Sequence, residues 1–404
     1  MARVTEVRAW LDARRDEMAD LLERLVAIDT ENPPGRNLGR CGAVLAEAMT
    51  ALGVESELIS IPAPASSALE EPCVVRGTVG AGGPLVYFHG HFDVVPAQSP
   101  AQFRPERRDG RIIGRGTADM KGGLVSMLYG AAAARECGLL GDGRIVLHFV
   151  CDEETGSTTG SGHLRQAGLI DPDAVAMLTA EPTGGVVWHA NRGAITMRVE
   201  VAGREAHVGQ AHLGDNAFAH MVHIARPLVD LAGELLERRT AFPLAGDEAR
   251  GSMLVIGGAT GSGANFNVVP GSAWFSLDRR FNPEEDLDEE VARLTDLVHR
   301  SAAEVGADVR VEVMQRQPSA STDSDHPAAR ALAACIEEVE GAPATFELCP
   351  GVLEIRWYAQ LAIPAFGYGA GRLDVSHGPD EYIDEAAMGR CAAVYALYAG
   401  SMVE

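Results

Sequence analysis

The sequence predicts an α/β fold in which a mostly parallel sheet is sandwiched between helices. Three short stretches that are largely apolar, "PLVYFHG", "GRIVLHFVCDE" and "DAVAMLTAEPT", are typical of buried strands. They alternate with the helix-like stretches "CGAVLAEAMTALG" and "GGLVSMLYGAAAARECG". Strands that are apolar on both faces and alternate with helices indicate a largely parallel sheet that is covered on both sides.

A second, smaller domain is expected because a chain of 404 residues is too long for one ordinary core. From about residue 193, "GAITMRVEVAG" alternates apolar and polar residues, as in a sheet with one solvated face. A helix over Asp215–Leu236, strands at "SMLVIGGA" and "SAWFSLDRRF", a helix over Glu284–Val305 and a strand at "DVRVEVMQ" follow. This order predicts a two-layer, ferredoxin-like α+β domain.

The smaller domain is predicted to be an insertion. After it, "HPAARALAACIEEVEG" and "IPAFGYG" return to the first pattern of helix and apolar strand. We therefore predict one domain over residues 1–191 and 313–404 and a second over residues 192–312. At the N-terminus, apolar residues at helical spacing predict a helix that ends before "ENPPGR", where paired prolines prevent its continuation.

Composition excludes several classes of partner. The formal net charge of -23 argues against nucleic acid and anionic membrane surfaces, because clustered Lys and Arg drive binding to phosphate. The N-terminal stretch lacks the continuous apolar core of a signal peptide, and no apolar run reaches transmembrane length. Seven cysteines without a Cys-x-x-Cys pair fit reduced thiols better than disulfides or a thiolate zinc site, so we expect a cytoplasmic protein.

The stretch "YFHGHFDVVP" contains a candidate metal ligand, His91, at the end of an apolar strand. Asp93 follows two residues later and points to the same side of an extended chain, so it can accept a hydrogen bond from the His91 ring. Such a bond orients zinc-bound imidazoles. The alternative for this pair alone is a strand-end histidine with no metal.

Further acids and a histidine lie where strands are predicted to end. Asp119 in "GRGTADMKGG" precedes a helix, where it would otherwise be an ordinary N-cap, and "VCDEETG" places three adjacent acids after an apolar strand. Adjacent carboxylates repel one another unless a cation lies nearby. Glu181 follows in "LTAEPT" and His377 in "DVSHGPDE". Imidazole and carboxylate ligands without thiolate suit zinc, cobalt or manganese.

These motifs together resemble the co-catalytic di-zinc amidohydrolases, a family that includes aminoacylase, acetylornithine deacetylase, succinyl-diaminopimelate desuccinylase and glutamate carboxypeptidase. The resemblance covers nearly the whole chain. The ordered motifs that carry it are "GHFDVVP", "GRGTADMKGG", "DEETG", "AEPT", "GREAHVG", "GDNA", "NVVP", "DRR" and "SHGPDE".

The resemblance implies a two-metal site in which Asp119 bridges both ions. It further implies that His91 and Glu181 complete one metal site, that Glu154 and His377 complete the other, that Glu153 is the general base and that Asp93 holds His91. It also implies a non-proline cis peptide bond between Asp119 and Met120.

The inserted domain resembles the family's lid, which also forms a homodimer interface. Within it, His207 of "GREAHVG" resembles the histidine that reaches the partner subunit's active site. Asn267 of "NVVP" and Arg280 of "DRR" resemble substrate-binding residues. The alternatives are that Asn267 caps a turn and that Arg280 pairs with Asp278.

The chain departs from the family pattern at "PGVLEIR". Glu354 stands where relatives commonly have an aspartate, and Arg356, expected to bind substrate, is retained two residues later. The departure puts the substrate in doubt and leaves the metal ligands untouched. His89 lies two residues before His91 on the same strand face, but the family pattern gives it no ligand role.

The function implied by the resemblance is metal-dependent hydrolysis of an amide bond in an N-acyl amino acid or related small metabolite. The family pattern implies two divalent ions, zinc with cobalt or manganese as alternatives, and a water between them that attacks with Glu153 as base. Arg280 and Arg356 suggest a substrate carboxylate. A carboxypeptidase or dipeptidase of short peptides remains open on the same chemistry, and a catalytically dead metabolite-binding relative is the alternative from another class.

Overall fold

The computed structural model describes residues 2–62 and 68–403. The chain divides into two compact units, the first over residues 1–189, 321–347 and 354–404 and the second over residues 190–320 and 348–353. The segment 192–312, predicted as the inserted domain, lies within the second unit, which extends beyond it on both sides.

The helices of the described residues follow in chain order. They are α1 (Ala2–Asp12), α2 (Arg15–Val26), α3 (Leu38–Ala51), α4 (Gly122–Glu136), α5 (Ser161–Gln166), α6 (Ala217–Leu236), α7 (Leu287–Glu304), α8 (Pro327–Glu340), α9 (Ile355–Ala359) and α10 (Glu385–Val403). None of these helices has the length and apolarity that crossing a bilayer requires.

The strands are numbered in the same way. They are β1 (Glu55–Ser60), β2 (Cys73–Val79), β3 (Leu85–His91), β4 (Glu106–Arg108), β5 (Arg111–Ile113), β6 (Arg144–Val150), β7 (Ala176–Thr179), β8 (Val187–Asn191), β9 (Gly193–Ala202), β10 (Ala206–His207), β11 (Met253–Ser262), β12 (Val268–Val269), β13 (Ser272–Phe281), β14 (Val309–Gln317), β15 (Ala320–Ser321), β16 (Phe346–Cys349), β17 (Ala365–Gly367) and β18 (Tyr382–Asp384).

The first unit is built on a large sheet whose strands β1, β2, β6, β3, β7 and β17 are neighbours in that order. The pairs β6–β3, β3–β7 and β7–β17 are parallel, whereas β1 and β2 add antiparallel strands at one edge. The prediction of a mixed α/β fold with a mostly parallel central sheet is confirmed. The edge strands β1 and β2 were not assigned from the sequence.

Side chains of β3 alternate between two covered faces of this sheet. Phe88 packs against Tyr395 of α10, with ring centroids 5.6 Å apart. Tyr87 points the other way and packs against Tyr358 of α9, with ring centroids 5.2 Å apart. Because both faces are covered by helices, every residue of β3 is buried. His91, two residues after His89, lies on the Tyr87 face.

The carboxyl ends of the parallel strands lie at one edge of the sheet. β3 ends at His91, which is in register with Val150 at the end of β6. The acids of "CDEETG" follow Val150 directly, and Glu181 follows β7. The fold thus gathers the chemically active residues where open α/β sheets bind ligands.

The second unit contains β9, α6, β11, β13, α7 and β14 in chain order. Its four-stranded antiparallel sheet has the spatial order β11, β13, β9 and β14. Apolar side chains of these strands form one core cluster with those of α6 and α7. This is a two-layer α+β arrangement of the ferredoxin-like order; its role as a lid stays a prediction.

The N-terminal helix differs from its prediction. The continuous apolar spacing predicted one helix, but α1 ends at Asp12 and α2 begins at Arg15. At the break, Arg14 leaves the helical conformation with φ -116° and ψ 13°, and its side chain bonds to the carbonyl oxygen of Trp10 at 3.1 Å. Apolar spacing alone did not reveal this interruption because both helices bury residues in the same core.

Candidate active site

Five side chains from five segments of the first unit form two groups that can each hold a metal ion. The first group is His91, Asp119 and Glu181, and the second is Asp119, Glu154 and His377. Within each group, the candidate ligand atoms all lie within 4.8 Å of one another. The five residues are those expected as ligands from the sequence, and Asp119 belongs to both groups, as the bridging role requires.

The distances divide the oxygens of Asp119 between the two groups. Its Oδ1 lies 3.3 Å from His91 Nε2, which is 3.9 Å from Glu181 Oε1. Its Oδ2 lies 3.2 Å from His377 Nε2, which is 3.6 Å from Glu154 Oε1. One carboxylate therefore faces two ligand pairs from opposite oxygens.

Asp119 lies in an irregular turn just ahead of α4. The turn begins after Gly116, whose φ of +83° is in the left-handed region and whose missing Cβ leaves room for Val94. The peptide bond between Asp119 and Met120 is cis, as the resemblance implied. The backbone N–H groups of Ala118 and Asp119 both donate to Glu381 Oε1, at 3.0 and 3.1 Å.

Glu381 and Arg115 connect this turn to the segment that carries His377. Arg115 Nη1 lies 2.5 Å from Glu381 Oε2, and Arg115 Nη2 donates to the carbonyl oxygen of His377 at 3.1 Å. Both charged side chains are 1% exposed. Sequence reasoning missed these two residues, although both lie inside motifs that it singled out, "GRGTADMKGG" and "SHGPDE".

Asp93 has a broader role than the one predicted for it. His91 Nδ1 lies 3.0 Å from the Asp93 backbone oxygen and 3.3 Å from its carboxylate Oδ1, so the predicted contact is present. The carboxylate also accepts the backbone N–H groups of Glu153 and Glu154, both at 3.1 Å. Asp93 thus ties the histidine strand to the turn that carries two acids.

Asn32, from "ENPPGR", is a third residue missed in the sequence. Its side-chain amide donates to Asp93 Oδ2 and to Thr155 Oγ1, both at 2.9 Å. The segment around it runs beside the residues after β3, with Asn32 N bonded to the Val94 carbonyl oxygen at 2.8 Å. The paired prolines after Asn32 were interpreted only as a helix stop, which hid this role.

Two glycines allow a loop after β17 to approach the ligand segments. A Cβ atom on Gly369 would collide with the backbone oxygen of Glu181, and one on Gly371 would collide with the backbone oxygen of Ala118. Any larger residue at these positions would displace a candidate ligand or the residue beside one.

The side chains present fit divalent metal ions. Three of the candidate ligand atoms, His91 Nε2, Glu154 Oε1 and Glu181 Oε1, are buried without a hydrogen-bond partner. Buried polar atoms nearly always have a hydrogen-bond partner, so three such atoms without one in a single cluster indicate a site for a bound ion. Imidazole nitrogens with carboxylate oxygens form a donor set that zinc, cobalt and manganese accept.

The pKa shifts of the acidic side chains also indicate a site for a cation. Burial raises the pKa of Glu153 well above its ordinary value; His91 opposes this shift, and the charges of Glu181 and Glu154 add to it. Burial also raises the pKa of Glu181 to about 8. Ionised carboxylates are costly here without countercharge, which is the situation that a bound cation reverses.

The histidines partly supply that countercharge. The hydrogen bond to Asp119 raises the pKa of His377 to about 10. Burial would raise the pKa of Asp119, but the nearby rings of His377 and His91 hold it below its ordinary value. His377 also has a positive φ of 62° and a side chain that is 49% exposed, so it closes the site from the solvent side.

Asp152 and His89 lie near the site but outside both ligand groups. The Asp152 carboxylate accepts the backbone N–H groups of Thr159 and Gly160, at 2.6 and 2.7 Å, and so closes the turn that begins with Glu153. His89 Nε2 lies 2.9 Å from Glu354, consistent with the expectation that it is not a ligand.

The remaining predicted residues have other surroundings. Arg356 is 1% exposed, and its guanidinium pairs with Glu354 at 2.9 Å, so substrate would have to displace this ion pair to reach it. In the second unit, Arg280 pairs with Asp278 at 2.7 Å, the alternative that the sequence left open. His207 and Asn267 are brought together there, with Val208 N bonded to Asn267 O at 3.0 Å.

A model of the peptidase family M20/M25/M40 matches residues 87–401, or 315 of the 404 residues. A probable succinyl-diaminopimelate desuccinylase of Staphylococcus epidermidis is 26% identical over 329 residues, which cover 76% of this chain and 77% of that protein. The dipeptidase Dug1p of Saccharomyces cerevisiae superimposes with a TM-score of 0.79 at 16% identity, covering 100% of this chain and 99% of that one.

A dinuclear metal-binding peptidase of family M20 from Bacillus subtilis has a TM-score of 0.70 at 15% identity, covering 97% of this chain and 99% of that one. At these identities the two structures show a shared fold. The family match and the paired ligand groups at the end of the sheet together indicate a metal-dependent hydrolase of amide bonds. The chain belongs to the peptidase family M20/M25/M40.

Proposed function

We propose that this enzyme removes the acyl group of an N-acylated amino acid or a related small metabolite, and that it works as a cytoplasmic homodimer with two zinc ions. The observation that carries the proposal is the pair of ligand groups that share Asp119, with three buried ligand atoms that lack a hydrogen-bond partner. Cobalt or manganese would suit the same donors.

The proposed ligands are His91 and Glu181 for one ion, Glu154 and His377 for the other, and Asp119 for both. Bound there, the ions would polarise the amide carbonyl and make a water nucleophilic at neutral pH. Glu153 lies next to Glu154 in the chain but belongs to neither ligand group, so its carboxylate would remain available as a base. It would accept a proton from the attacking water and return it to the departing amine.

His207 is proposed to donate a hydrogen bond to the oxygen that becomes negative. Its Nδ1 accepts the backbone N–H of Gly209 at 3.1 Å, which in the neutral ring leaves the proton on Nε2. The side chain is exposed and therefore open to a substrate or a second subunit. A donor placed for such an oxyanion typically contributes about 3–4 kcal/mol.

An apolar stripe on α6 supports a homodimer formed through the second unit. Phe218, Val222, Val229 and Leu236 are 46–54% exposed and recur at spacings that place them on one face of the helix. The opposite face is buried in the core of the unit. Large exposed apolar patches mark interaction surfaces, and a second copy of this chain is the proposed occupant.

The seven cysteines support a reducing compartment, because all of them are free. Substrate recognition is proposed to involve Asn267, Arg280 and Arg356. The two arginines would bind a substrate carboxylate after exchanging their present acidic partners. Arg280 is 34% exposed and can exchange Asp278 readily, since exposed ion pairs are weak.

The second candidate function is a dipeptidase or carboxypeptidase of short peptides. It is favoured by the likeness to the fold of Dug1p, a dipeptidase, over 100% of this chain. Both candidates share the metal chemistry and differ in the group attached to the amide carbonyl.

A substrate panel would distinguish the candidates. Metal-loaded protein would be incubated with N-acetyl, N-succinyl and N-formyl amino acids beside dipeptides, and products would be measured by mass spectrometry. We expect the highest kcat/KM on an acylated amino acid. Preference for dipeptides would favour the second candidate. Two bound ions without turnover of any compound would support a catalytically dead relative, which the retention of Glu153 argues against.

A further inference from the structure

A second buried cluster of polar side chains lies behind the candidate metal ligands, on the same face of β3 as His91. Its centre is the carboxylate of Glu354, which is fully buried at the residue preceding α9. Of its members, only Arg356 has a role in the function proposed above, as a substrate contact.

Glu354 accepts hydrogen bonds with both oxygens. Oε1 accepts from Ser157 Oγ at 2.6 Å and from Trp357 Nε1 at 3.2 Å, and it pairs with Arg356 at 2.9 Å. Oε2 accepts from His89 Nε2 at 2.9 Å and from the Ser161 hydroxyl. A carboxylate with this many donors is held in one position.

Three of these donors, His89, Ser157 and Ser161, come from the two segments that carry most of the active-site residues. His89 lies two residues before His91 on β3. Ser157 lies three residues after Glu154, in the turn that Asp152 closes, and Ser161 begins α5 after that turn. One buried carboxylate therefore joins the histidine strand to the turn that presents Glu153 and Glu154.

The backbone at Ser157 shows why such a tie is needed. Its φ is 62°, in the left-handed region that residues other than glycine rarely occupy. Its hydroxyl donates to Glu354 and accepts from Arg356 Nη2 at 3.0 Å. Such conformations persist where surrounding contacts hold them, so these bonds keep the turn in its observed shape.

We propose that Glu354 is a positioning residue that fixes the turn bearing Glu153 and Glu154 against the strand bearing His91, and thereby sets the base at its working distance from the metal ligands. The proposal rests on the proposed two-metal hydrolysis. The glutamate side chain is long enough to contact Ser157, Ser161 and His89 at once.

The decisive variant is Ser157→Ala, which removes one hydroxyl and leaves Glu354 in place. We expect kcat to fall about tenfold, since a charge-assisted hydrogen bond is lost. KM should stay within about twofold, because Ser157 is not a proposed substrate contact and Arg356 keeps its ion pair with Glu354. A shift of Glu154 should also change the visible absorption spectrum of the cobalt(II)-loaded protein, a readout that needs no turnover.

Two variants of the carboxylate separate its charge from its reach. Glu354→Gln keeps the reach and loses the charge, and Glu354→Asp keeps the charge and shortens the reach. Both should lower kcat by about 100-fold, as displacement of a catalytic group by about 1 Å does. If either variant fails to fold, Ser157→Ala decides the question alone.

Two controls report on structure without touching Glu354. Ser126→Ala makes the same change at a buried serine that bonds to the Gly122 carbonyl oxygen in α4. Ser301→Ala removes a buried hydroxyl that bonds to the Leu297 carbonyl oxygen in α7, at 2.9 Å. Both should change the thermal midpoint while retaining the parent kcat and cobalt spectrum.

An unchanged kcat and cobalt spectrum in Ser157→Ala would overturn the proposal and leave Glu354 a purely structural residue, as would parental kcat in Glu354→Asp. Failure of the proposed function has a different signature, because the parent protein itself would then bind no cobalt or hydrolyse no amide.

Discussion

Two clusters of buried charged side chains lie on the same face of the first unit's sheet, and they differ in how their charges are balanced. In the cluster around Glu354, burial would raise the pKa of that carboxyl, but Arg356, His89 and Ser157 lower it below its ordinary value. In the cluster around Asp119, burial raises the pKa of Glu181 to about 8.

The difference between them separates a structural network from a ligand site. Glu354 has an arginine and further hydrogen-bond donors within reach, so its charge is satisfied by the protein itself. Glu154 and Glu181 each keep a buried oxygen without a hydrogen-bond partner. Both clusters contain buried charged groups, so burial and charge do not distinguish them. The cluster around Asp119 is the ion site because its buried ligand atoms face one another without hydrogen-bond partners.

Removal of metal ions should have the largest effect, because the cluster around Asp119 is expected to need an ion and the cluster around Glu354 is not. Removal of metal ions with a chelator should abolish turnover, and cobalt, manganese or zinc should restore it. Because ions bind the folded state, their removal should also lower the thermal midpoint; a ligand at 100 times its Kd stabilises by about 2.7 kcal/mol. Calorimetric scans of chelated and reloaded protein measure this. Full activity after exhaustive chelation would contradict the two-metal assignment.

Glu153→Gln should produce the next largest effect. The variant keeps the size of the side chain but cannot accept a proton, so kcat should fall by about 10²–10⁴-fold. Elemental analysis should still find two ions per chain, because Glu153 belongs to neither ligand group. The exposed Glu337→Gln is the matched control and should behave as the parent. Near-parental turnover at equal metal content would remove Glu153 from its role.

His207→Ala should lower kcat by about 10²–10³-fold, the usual effect of losing one oxyanion donor. His212→Ala, an exposed histidine of the same segment, serves as control. Mixing His207→Ala with Glu153→Gln under subunit exchange should partly restore activity, since hybrid dimers would contain one complete site. No recovery on mixing, with exchange verified by native mass spectrometry, would argue against a shared site.

Asn32→Ala should have the smallest effect of the four. It removes the amide that bonds Asp93 and Thr155, but Asp93 keeps its two backbone donors. Loss of a residue that supports a ligand typically lowers activity or metal affinity by about 10–100-fold, and we expect the lower value. Asn282→Ala, equally buried in the second unit, should cost stability without changing kcat. Metal titrations followed by calorimetry measure the affinity.

Sequence reasoning worked where local pattern and chemistry coincide. His91, Glu154 and Glu181 follow predicted strands and Asp119 precedes a predicted helix, so a parallel sheet predicts that these four lie close together. His377 was expected as a ligand only from the family resemblance. The strand β13 was predicted with its observed bounds, because its alternation of apolar and polar residues is regular.

Sequence-based prediction failed for residues whose contacts are with distant parts of the chain, because the local pattern does not indicate such contacts. The stretch "ENPPGR" predicted only the end of a helix, and no residue near Asn32 in the sequence indicates its contact with Asp93. Glu381 and Arg115 lay in quoted motifs but were passed over, because their bond to each other spans 266 positions of the chain. The break between α1 and α2 was missed because the apolar spacing continues through it.

By itself, the sequence determined which residues have the chemistry to hold metal ions and to move a proton, since donor type and strand position are local properties. Only the tertiary structure decided which acids remain unpaired: Glu354 and Glu181 are both buried glutamates, but the first lies beside a guanidinium and the second does not. Countercharge comes from side chains that folding brings together, and the order of residues along the chain does not specify it.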